Sequence, residues 1–582
     1  VPDLFLSPMG SVQLSQDLIR ISRMPRRFWT PEDVDHAVEE LTDILRTPVG
    51  TMRLKPVQAM ALMEIGTARG LFGAMGVGAG KTLVSFLAPV VSFSERPILL
   101  IPAKLYEKTK RDYHDLSIHW RLPKYIRIVT YDWLGRHQAA DALEKFMPDI
   151  IVADECHKLR NLKAAVSRRV RRFLTEHQHV RFVSMSGTST KRSLHDYAHL
   201  MRMVYSPDLD RMPLPQHWTD LESWADALDN RKDQTKRADP GALKILCNDD
   251  EQLIWDNNPT KAARLAYQRR LRDTEGFVAT DESSCDATLT VSSVQYDPGP
   301  QVNAAFEKLR RDWELPDDWT LNDGLQVAQH ARQLALGFYY KWDPRPPAPW
   351  LEARKAWSKF CRDVLKHSRK YDSERQVKMA FPDVPELVAW RAIEKNFVPN
   401  TVPVWLSDTV LRSCADWANR NSGIVWTEHV VFGEMLERDF GIKYYGRGGD
   451  SADKTRIDDH PADRSLVASI RSSSEGRNLQ KWNTSLVTCW PANGIGAEQI
   501  LGRTHREGQE ADEVQVDVVL SCLEHATSFW QSVADARYAV DTTGAQQKIL
   551  LAGKNFPSLD AVLSWHGHRW GGEKEKEREQ EE

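Results

Sequence analysis

The 582-residue chain is long enough for about three to five domains. Its 41% hydrophobic and 27% charged residues make an ordinary globular mix and exclude wholesale disorder. Lys+Arg 78 against Asp+Glu 81 leave a net charge of -3, which removes any global argument for a polyanionic partner but not a local one.

The charge is unevenly spread. The tail Glu573–Glu582 holds six Glu and three Lys/Arg, so it carries the whole excess and residues 1–572 sum to zero. From His157 to Arg192 there are ten Lys/Arg and one acid, and from Arg354 to Lys378 nine Lys/Arg and three acids. Each basic run reads either as a solvated helix face or as a phosphate-facing surface. The seven cysteines are dispersed, with no CxxC pair. A cysteine-based zinc site is therefore not expected, and a reducing, cytoplasmic setting is. VPDLFLSPMG has no basic segment followed by an apolar core, so no secretory signal is expected. The most apolar run, Leu83–Phe93, is too short to span a bilayer, so no membrane partner is expected.

In chain order, residues 1–49 form an N-terminal helical segment. TPEDVDHAVEEL predicts a helix over Thr30–Arg46, with Thr30 as N-cap, Pro31 at the first helical position and early acids. Residues 50–204 alternate strand and helix. The predicted strands are 71–76, 97–102, 125–131, 148–154 and 180–186, each a short apolar or β-branched run bounded by turn residues. That alternation predicts a parallel sheet covered on both faces.

Residues 205–417 read as a helical insertion or linker domain carrying eleven of the twenty Trp, interrupted by PRPPAP at 344–349. These Trp read as helical core in preference to base-stacking platforms. RQLALGFYYKW (332–342) reads as a buried helix. Residues 418–572 return to strand–helix alternation, with strands at 423–427, 442–446, 465–470, 485–490 and 514–520. Residues 573–582 are a charged tail without a site. The fold class is thus α/β, with two parallel-sheet lobes and a largely helical, Trp-rich block between them.

Three motifs carry chemistry. MGVGAGKT (75–82) follows a predicted strand and opens a helix, the arrangement in which backbone N–H groups cradle phosphates at a helix N-terminus. Gly78, Ala79 and Gly80 would form the cradle, Lys81 would reach the β/γ-phosphates and the Thr82 hydroxyl would ligate Mg²⁺. By itself the segment also reads as a Gly-rich turn. IIVADECHKLRN (150–161) delivers Asp154 and Glu155 at a strand's C-terminal end, where α/β sheets bind ligands. Asp154 suits a metal and Glu155 suits a water, although a lone Asp-Glu also serves as an acidic strand cap. EQILGRTHREGQ (498–509) places Arg503 and Arg506 three apart, on one face if helical. Such a pair can stabilise phosphoryl charge, or be a basic surface turn.

In this order the motifs resemble the helicase superfamily two ATPases, and within them the Swi/Snf-type DNA translocases. DECHKLRN is similar to the DEAH-box segment, and QILGRTHREGQ is similar to motif VI, with the trailing Gly508-Gln509. LKPVQ (54–58) resembles the adenine-contacting glutamine segment, 99–105 motif Ia, 128–134 motif Ib, SGT (186–188) with 193–201 motif III, and 472–479 motif V. Motif III lacks the usual Pro after Thr188, and motif V is short.

The resemblance implies two RecA-like lobes with ATP and Mg²⁺ between them. Gln58, Gly78, Ala79, Gly80, Lys81 and Thr82 would hold the nucleotide, and Thr82 and Asp154 the metal. Glu155 would act as catalytic base, and Gln499, Arg503 and Arg506 would reach across the cleft. It implies ATP hydrolysis coupled to translocation on DNA, duplex over single strand, with RNA less favoured. A protein partner could engage the middle block, and the compact form suggests a phage or prokaryotic setting. Rival readings are an RNA helicase, a DNA-binding scaffold with little ATPase activity, and a packaging motor.

Overall fold

A computed structural model describes residues 10–567 apart from 163, 188, 189, 191, 231–236, 281–284, 368–373, 399 and 474–476. The charged tail, the start of the chain and parts of motifs III and V lie outside the described residues.

Two parallel sheets organise the chain. The first contains β1 (Leu71–Ala74), β2 (Pro97–Ile101), β3 (Arg127–Thr130), β4 (Ile150–Asp154), β5 (Arg181–Met185) and β6 (Phe277–Ala279), in the order β3-β2-β4-β5-β1-β6. Successive residues of each strand enter different cores. Phe72, Ile151 and Ala153 pack on one face, and Leu71, Ile150 and Val152 on the other. Burial on both faces is why these strands read as continuous apolar runs.

The second sheet contains β7 (Thr288–Gln295), β10 (Ile424–Thr427), β11 (Tyr444–Tyr445), β12 (Leu466–Ser469), β13 (Thr484–Val487), β14 (Glu513–Leu520) and β15 (Gly553–Asn555). Its order is β11-β12-β10-β13-β14-β7-β15. All strand pairs in both sheets are parallel. The strand segments expected in 50–204 and 418–572 all form strands. The mixed α/β architecture with two parallel sheets is consistent with RecA-like lobes.

The middle block departs from its expected form. It is not one helical insertion. β6 pairs with β1 and closes the edge of the first sheet, and β7 pairs with β14 over eight residues of the second. Tyr205, Leu221, Trp224 and Tyr267 join Phe72 in the first lobe's core. Between these contributions, β8 (Phe338–Trp342) and β9 (Thr401–Trp405) form a two-stranded antiparallel sheet. The expected helix over 332–342 therefore ends at Leu334 and becomes β8. Gly337 makes the break at φ +90°, and a side chain there would place Cβ 2.1 Å from the Ser407 carbonyl oxygen. Five of the block's eleven Trp are buried (Trp224, Trp350, Trp357, Trp390 and Trp417). Trp319 and Trp342 stack with ring centroids 4.1 Å apart. The tryptophans thus build cores, as large aromatic bodies do when several can interlock.

The N-terminal helix runs Pro31–Leu45 with a Thr30–Asp33 capping box. Its apolar stripe, Ala37, Val38, Leu41 and Leu45, packs into the first lobe's core with Leu62 and Ile65. At the other end, the helix Leu523–Thr543 follows β14 and reaches back to the first lobe. There the Tyr538 hydroxyl donates to Asp229 Oδ1 at 3.2 Å, and Arg192 pairs with Asp535 at 2.8 Å.

Candidate active site

The site is built where strand ends of the two sheets face each other. β1 runs into Met75–Gly80, and the helix Lys81–Val91 follows. Gly78 and Gly80 hold φ of +91° and +76°, a region open to glycine at little cost. Gln58 packs directly against Gly80, where a Cβ would lie 2.0 Å from its Nε2 and push the glutamine aside. Gln58 is buried and donates from Nε2 to the Ala79 carbonyl at 3.2 Å, while its Oε1 accepts from the Lys55 N–H at 2.9 Å. The glutamine therefore braces the loop. Lys81 Nζ donates to the Met75 and Gly76 carbonyls, both at 3.1 Å, and Thr82 is half-buried at the start of the helix.

β4 brings the two carboxylates under this loop. Asp154 is buried, and its Oδ1 accepts from the Glu155 N–H at 3.0 Å. The buried Tyr131 hydroxyl donates to the Asp154 carbonyl at 2.7 Å and fixes the strand end. Glu155 adopts φ +55°, ψ +50°, a left-handed conformation that costs a non-glycine residue roughly 1–2 kcal/mol. Its Oε1 lies 3.9 Å from Lys81 Nζ. Its Oε2 lies 3.2 Å from His157 Nδ1 and accepts from the Ser186 hydroxyl at 3.3 Å.

Burial pushes both acids up, but Lys81, His157 and Arg503 outweigh it at Glu155 and hold that carboxyl low. Asp154 goes the other way, raised by burial and by the Glu155 charge against the opposing Lys81. Of the two, Glu155 is therefore the stronger acid. A divalent cation beside Asp154 would favour its ionised form, because ligation needs the carboxylate.

The second lobe supplies the opposite wall. The helix Gly494–Thr504 is N-capped by Asn493, whose Oδ1 accepts from the Gly496 N–H at 2.9 Å. Arg503 is buried near its end. It donates from Nε to the Gln499 carbonyl and from Nη1 to the Arg477 carbonyl, each at 2.9 Å. Arg506 is not on a shared helical face as expected, because the helix ends at Thr504. It still converges with Arg503, since its Nη1 reaches the same Arg477 carbonyl at 3.3 Å. Arg506 Nε is buried without a partner among the described residues. Gln499 is half-buried on the helix and contributes its carbonyl to Arg503.

The two walls touch. A Cβ on Gly502 would lie 2.5 Å from Val77 Cγ1 of the glycine loop, and Lys55 pairs with Glu507 at 2.6 Å. Beside Gln58 and Ala79 a cavity of about 990 Å³ opens, with Phe28, Trp29, Lys55, Val57 and Thr280 among its walls. It is large enough for a nucleoside. The orphan guanidinium N–H, the glycine cradle and the lysine above a carboxylate pair fit a polyphosphate with a divalent cation. Ordered together are Gln58, Gly78, Ala79, Gly80, Lys81, Thr82, Asp154, Glu155, Arg503 and Arg506.

Sequence reasoning missed Thr280, whose hydroxyl accepts from the Gly76 N–H at 2.9 Å. It lies just past β6, a three-residue strand inside the block read as helical. Two arginines of the basic segment SRRVRRF turn out to be structural. Arg169 donates to the Leu134 and Arg136 carbonyls, and Arg172 pairs with Glu144. Arg168 and Arg171 stay exposed.

Residues 101–244, 144 of the 582, match the family model of the SNF2-related domain. The matched stretch begins at the last residue of β2 and takes in β3, β4 and β5, and with them Asp154 and Glu155. No curated protein matches the chain at a significant level. The match supports a helicase-like superfamily two ATPase, a class that uses ATP with Mg²⁺ and acts on nucleic acid. No helix among the described residues is long and apolar enough to cross a membrane.

Proposed function

We propose that the chain is a nucleic-acid-stimulated ATPase that converts hydrolysis into translocation along duplex DNA. The observation that carries this reading is the meeting of Lys81, Glu155 and Arg503 across two parallel-sheet lobes already in contact through Val77 and Gly502. Gly78, Ala79, Gly80 and Lys81 would hold the phosphates, Thr82 and Asp154 the Mg²⁺, and Gln58 with the neighbouring cavity the base. The ionised Glu155 suits a base that orients the attacking water, and Ser186 and His157 fix its second oxygen. Arg503 and Arg506 would stabilise charge that spreads over the transferring phosphoryl group, and Gln499 stands on the same helix. Both arginines ride on the second lobe, so turnover would depend on lobe closure, the step that can be geared to movement.

Duplex DNA is favoured over RNA by the motif VI form GRTHREGQ. Such a grip on phosphates predicts affinity that falls steeply with salt and little sequence preference. A phage or prokaryotic setting, and a protein partner for the middle block, belong to the same reading. The test is ATP hydrolysis without polymer, then with duplex DNA, single-stranded DNA and RNA. Strong stimulation by duplex is expected. Equal or greater stimulation by RNA sinks the DNA assignment, and no hydrolysis under any condition favours a scaffold.

A further inference from the structure

A short segment after the helix Leu523–Thr543 belongs to neither lobe alone. Gly544 ends that helix at φ +74°, and Ala545 is buried in the first lobe's core. The Gln546 N–H donates to the Thr280 carbonyl at 3.0 Å. The Gln547 side chain, 2% exposed, donates from Nε2 to the Gly187 carbonyl at 3.3 Å. One residue on, the chain has crossed to the second lobe. The Lys548 N–H donates to Glu498 Oε2 at 2.7 Å, and Lys548 Nζ lies 3.4 Å from His505 Nδ1. The other imidazole nitrogen of His505 lies 2.8 Å from the Ala287 carbonyl oxygen, so Nε2 donates there and Nδ1 is free to accept from the lysine.

These contacts close a ring. Gly187 abuts the glycine loop, since a Cβ on it would lie 3.1 Å from the Met75 carbonyl oxygen and 3.2 Å from the Val77 nitrogen. Val77 abuts Gly502. Gly502 and Glu498 stand on the helix that carries Arg503, and Glu498 holds Lys548. Glu498 is 1% exposed, and burial pushes its carboxyl up against the opposing charges of Lys548, Lys81 and Arg503. The arginine-bearing helix is therefore gripped from two sides, by Val77 at Gly502 and by the crossing segment at Glu498 and His505. The backbone N–H and the side chain of one residue, Lys548, meet two different positions of that helix end, Glu498 and His505, so this grip is specific in register.

Resting on the ATPase reading above, we propose that Gln547 and Lys548 are positioning residues: they tie the Gly187 turn of the first lobe to Glu498 and His505 of the second, and so set Arg503 against Glu155 and Lys81. Neither touches the reacting phosphates. They act through the helix Gly494–Thr504.

The test uses the full chain with Gln547→Ala, Lys548→Met and the conservative Lys548→Arg. It reads steady-state hydrolysis with saturating duplex DNA, ATP binding with Mg²⁺ by equilibrium dialysis, and amide hydrogen exchange. Gln547→Ala and Lys548→Met are expected to lower kcat by about tenfold or more, with KM and Kd for ATP within about threefold, the pattern of a contact made only on closure. Lys548→Arg should restore most of kcat. Exchange should rise over residues 494–504 and at the turn around Gly187, and not across the strands of either sheet. Wild-type kcat in both Gln547→Ala and Lys548→Met overturns the proposal, as does a general rise in exchange that marks simple destabilisation. If the unsubstituted chain hydrolyses no ATP, the ATPase reading fails separately, and the exchange pattern alone still decides whether the tie exists.

Discussion

Lys81 and Glu155 lie 3.9 Å apart, yet the structure asks different things of them. Lys81 presents a buried cation to the mouth of the glycine loop, where it can hold a phosphate in the ground state. Glu155 is kept ionised and aimed by Ser186 and His157, an arrangement that matters only once a water attacks. Lys81→Ala is therefore expected to weaken ATP binding at least about tenfold, by loss of a charge-assisted contact. Glu155→Gln should bind ATP within about threefold of wild type while kcat falls about 100-fold or more, the range set by general-base catalysis. Equilibrium binding beside single-turnover hydrolysis separates the two, and wild-type turnover in Glu155→Gln means that another group takes the proton. At this scale the sequence was most legible where chemistry is contiguous, as in Gly78–Thr82 and Asp154-Glu155. It was silent about Thr280, Gln547 and Lys548, because each reaches the site only through a return of the chain from a distant segment. Arg506 lay between these cases. Its convergence with Arg503 was legible, but the shared helical face was not, since the helix ends before it.

At the level of elements, legibility followed burial on both faces. The expected strands of both alternating regions were apolar runs long enough to stand out. β6 is three residues long and β15 is Gly-Lys-Asn, so neither carries such a signal. β7, TLTVSSVQ, does alternate, with Leu289 and Val291 buried, but its neighbours are helical and its partner β14 lies more than 200 residues on. The helices of the middle block are held by polar as well as aromatic contacts, and Glu374 is their centre. It pairs with Arg354 at 3.3 Å and Lys378 at 3.1 Å, and accepts from Trp357 Nε1 and Asn322 Nδ2, both at 2.8 Å. Burial pushes this carboxyl up, but Arg354, Trp357, Lys378 and Asn322 together bring it down to about 2. A depressed carboxyl stabilises the fold fully above its unfolded value of about 4.3. That contribution is lost as pH falls from there through about 2. Glu374→Ala should cost about 2–4 kcal/mol near neutral pH, because it leaves Arg354 and Lys378 without their buried partner. Urea unfolding at pH 7 and at pH 3 checks this. The gap between wild type and variant should shrink at the lower pH, and an unchanged gap would show that packing, not charge, is what the substitution removed.

For the whole molecule, the lobes' order along the chain was legible from the order of the motifs, whereas their embrace was not. The helix Leu523–Thr543 belongs by sequence to the second alternating region, but Asp535 and Tyr538 bind the first lobe. The N-terminal helix and the segment past β6 likewise fold onto the first lobe rather than stand apart. These are tertiary choices, made by surfaces that no local pattern announces. They leave the two walls of the site in close apolar contact at Gly502 against Val77, and this contact can be tested without touching a charged group. Adding a methyl at Gly502 places carbon 2.5 Å from Val77 Cγ1 and 2.9 Å from its Cβ. A β-branched side chain cannot swing aside cheaply, so the strain is relieved most readily by parting the lobes. Gly502 sits within a helix, where alanine is favoured over glycine by roughly 0.5–1 kcal/mol, so the second lobe itself should not be weakened. Gly502→Ala is thus expected to keep ATP binding within about threefold, because the glycine loop is intact. Its kcat should fall at least about tenfold, because Arg503 no longer reaches the phosphates. A compensating Val77→Ala in the same chain should recover much of the loss by making room for the methyl. If Gly502→Ala turns over normally, or if the double variant is no better than the single one, closure at this contact does not control the chemistry.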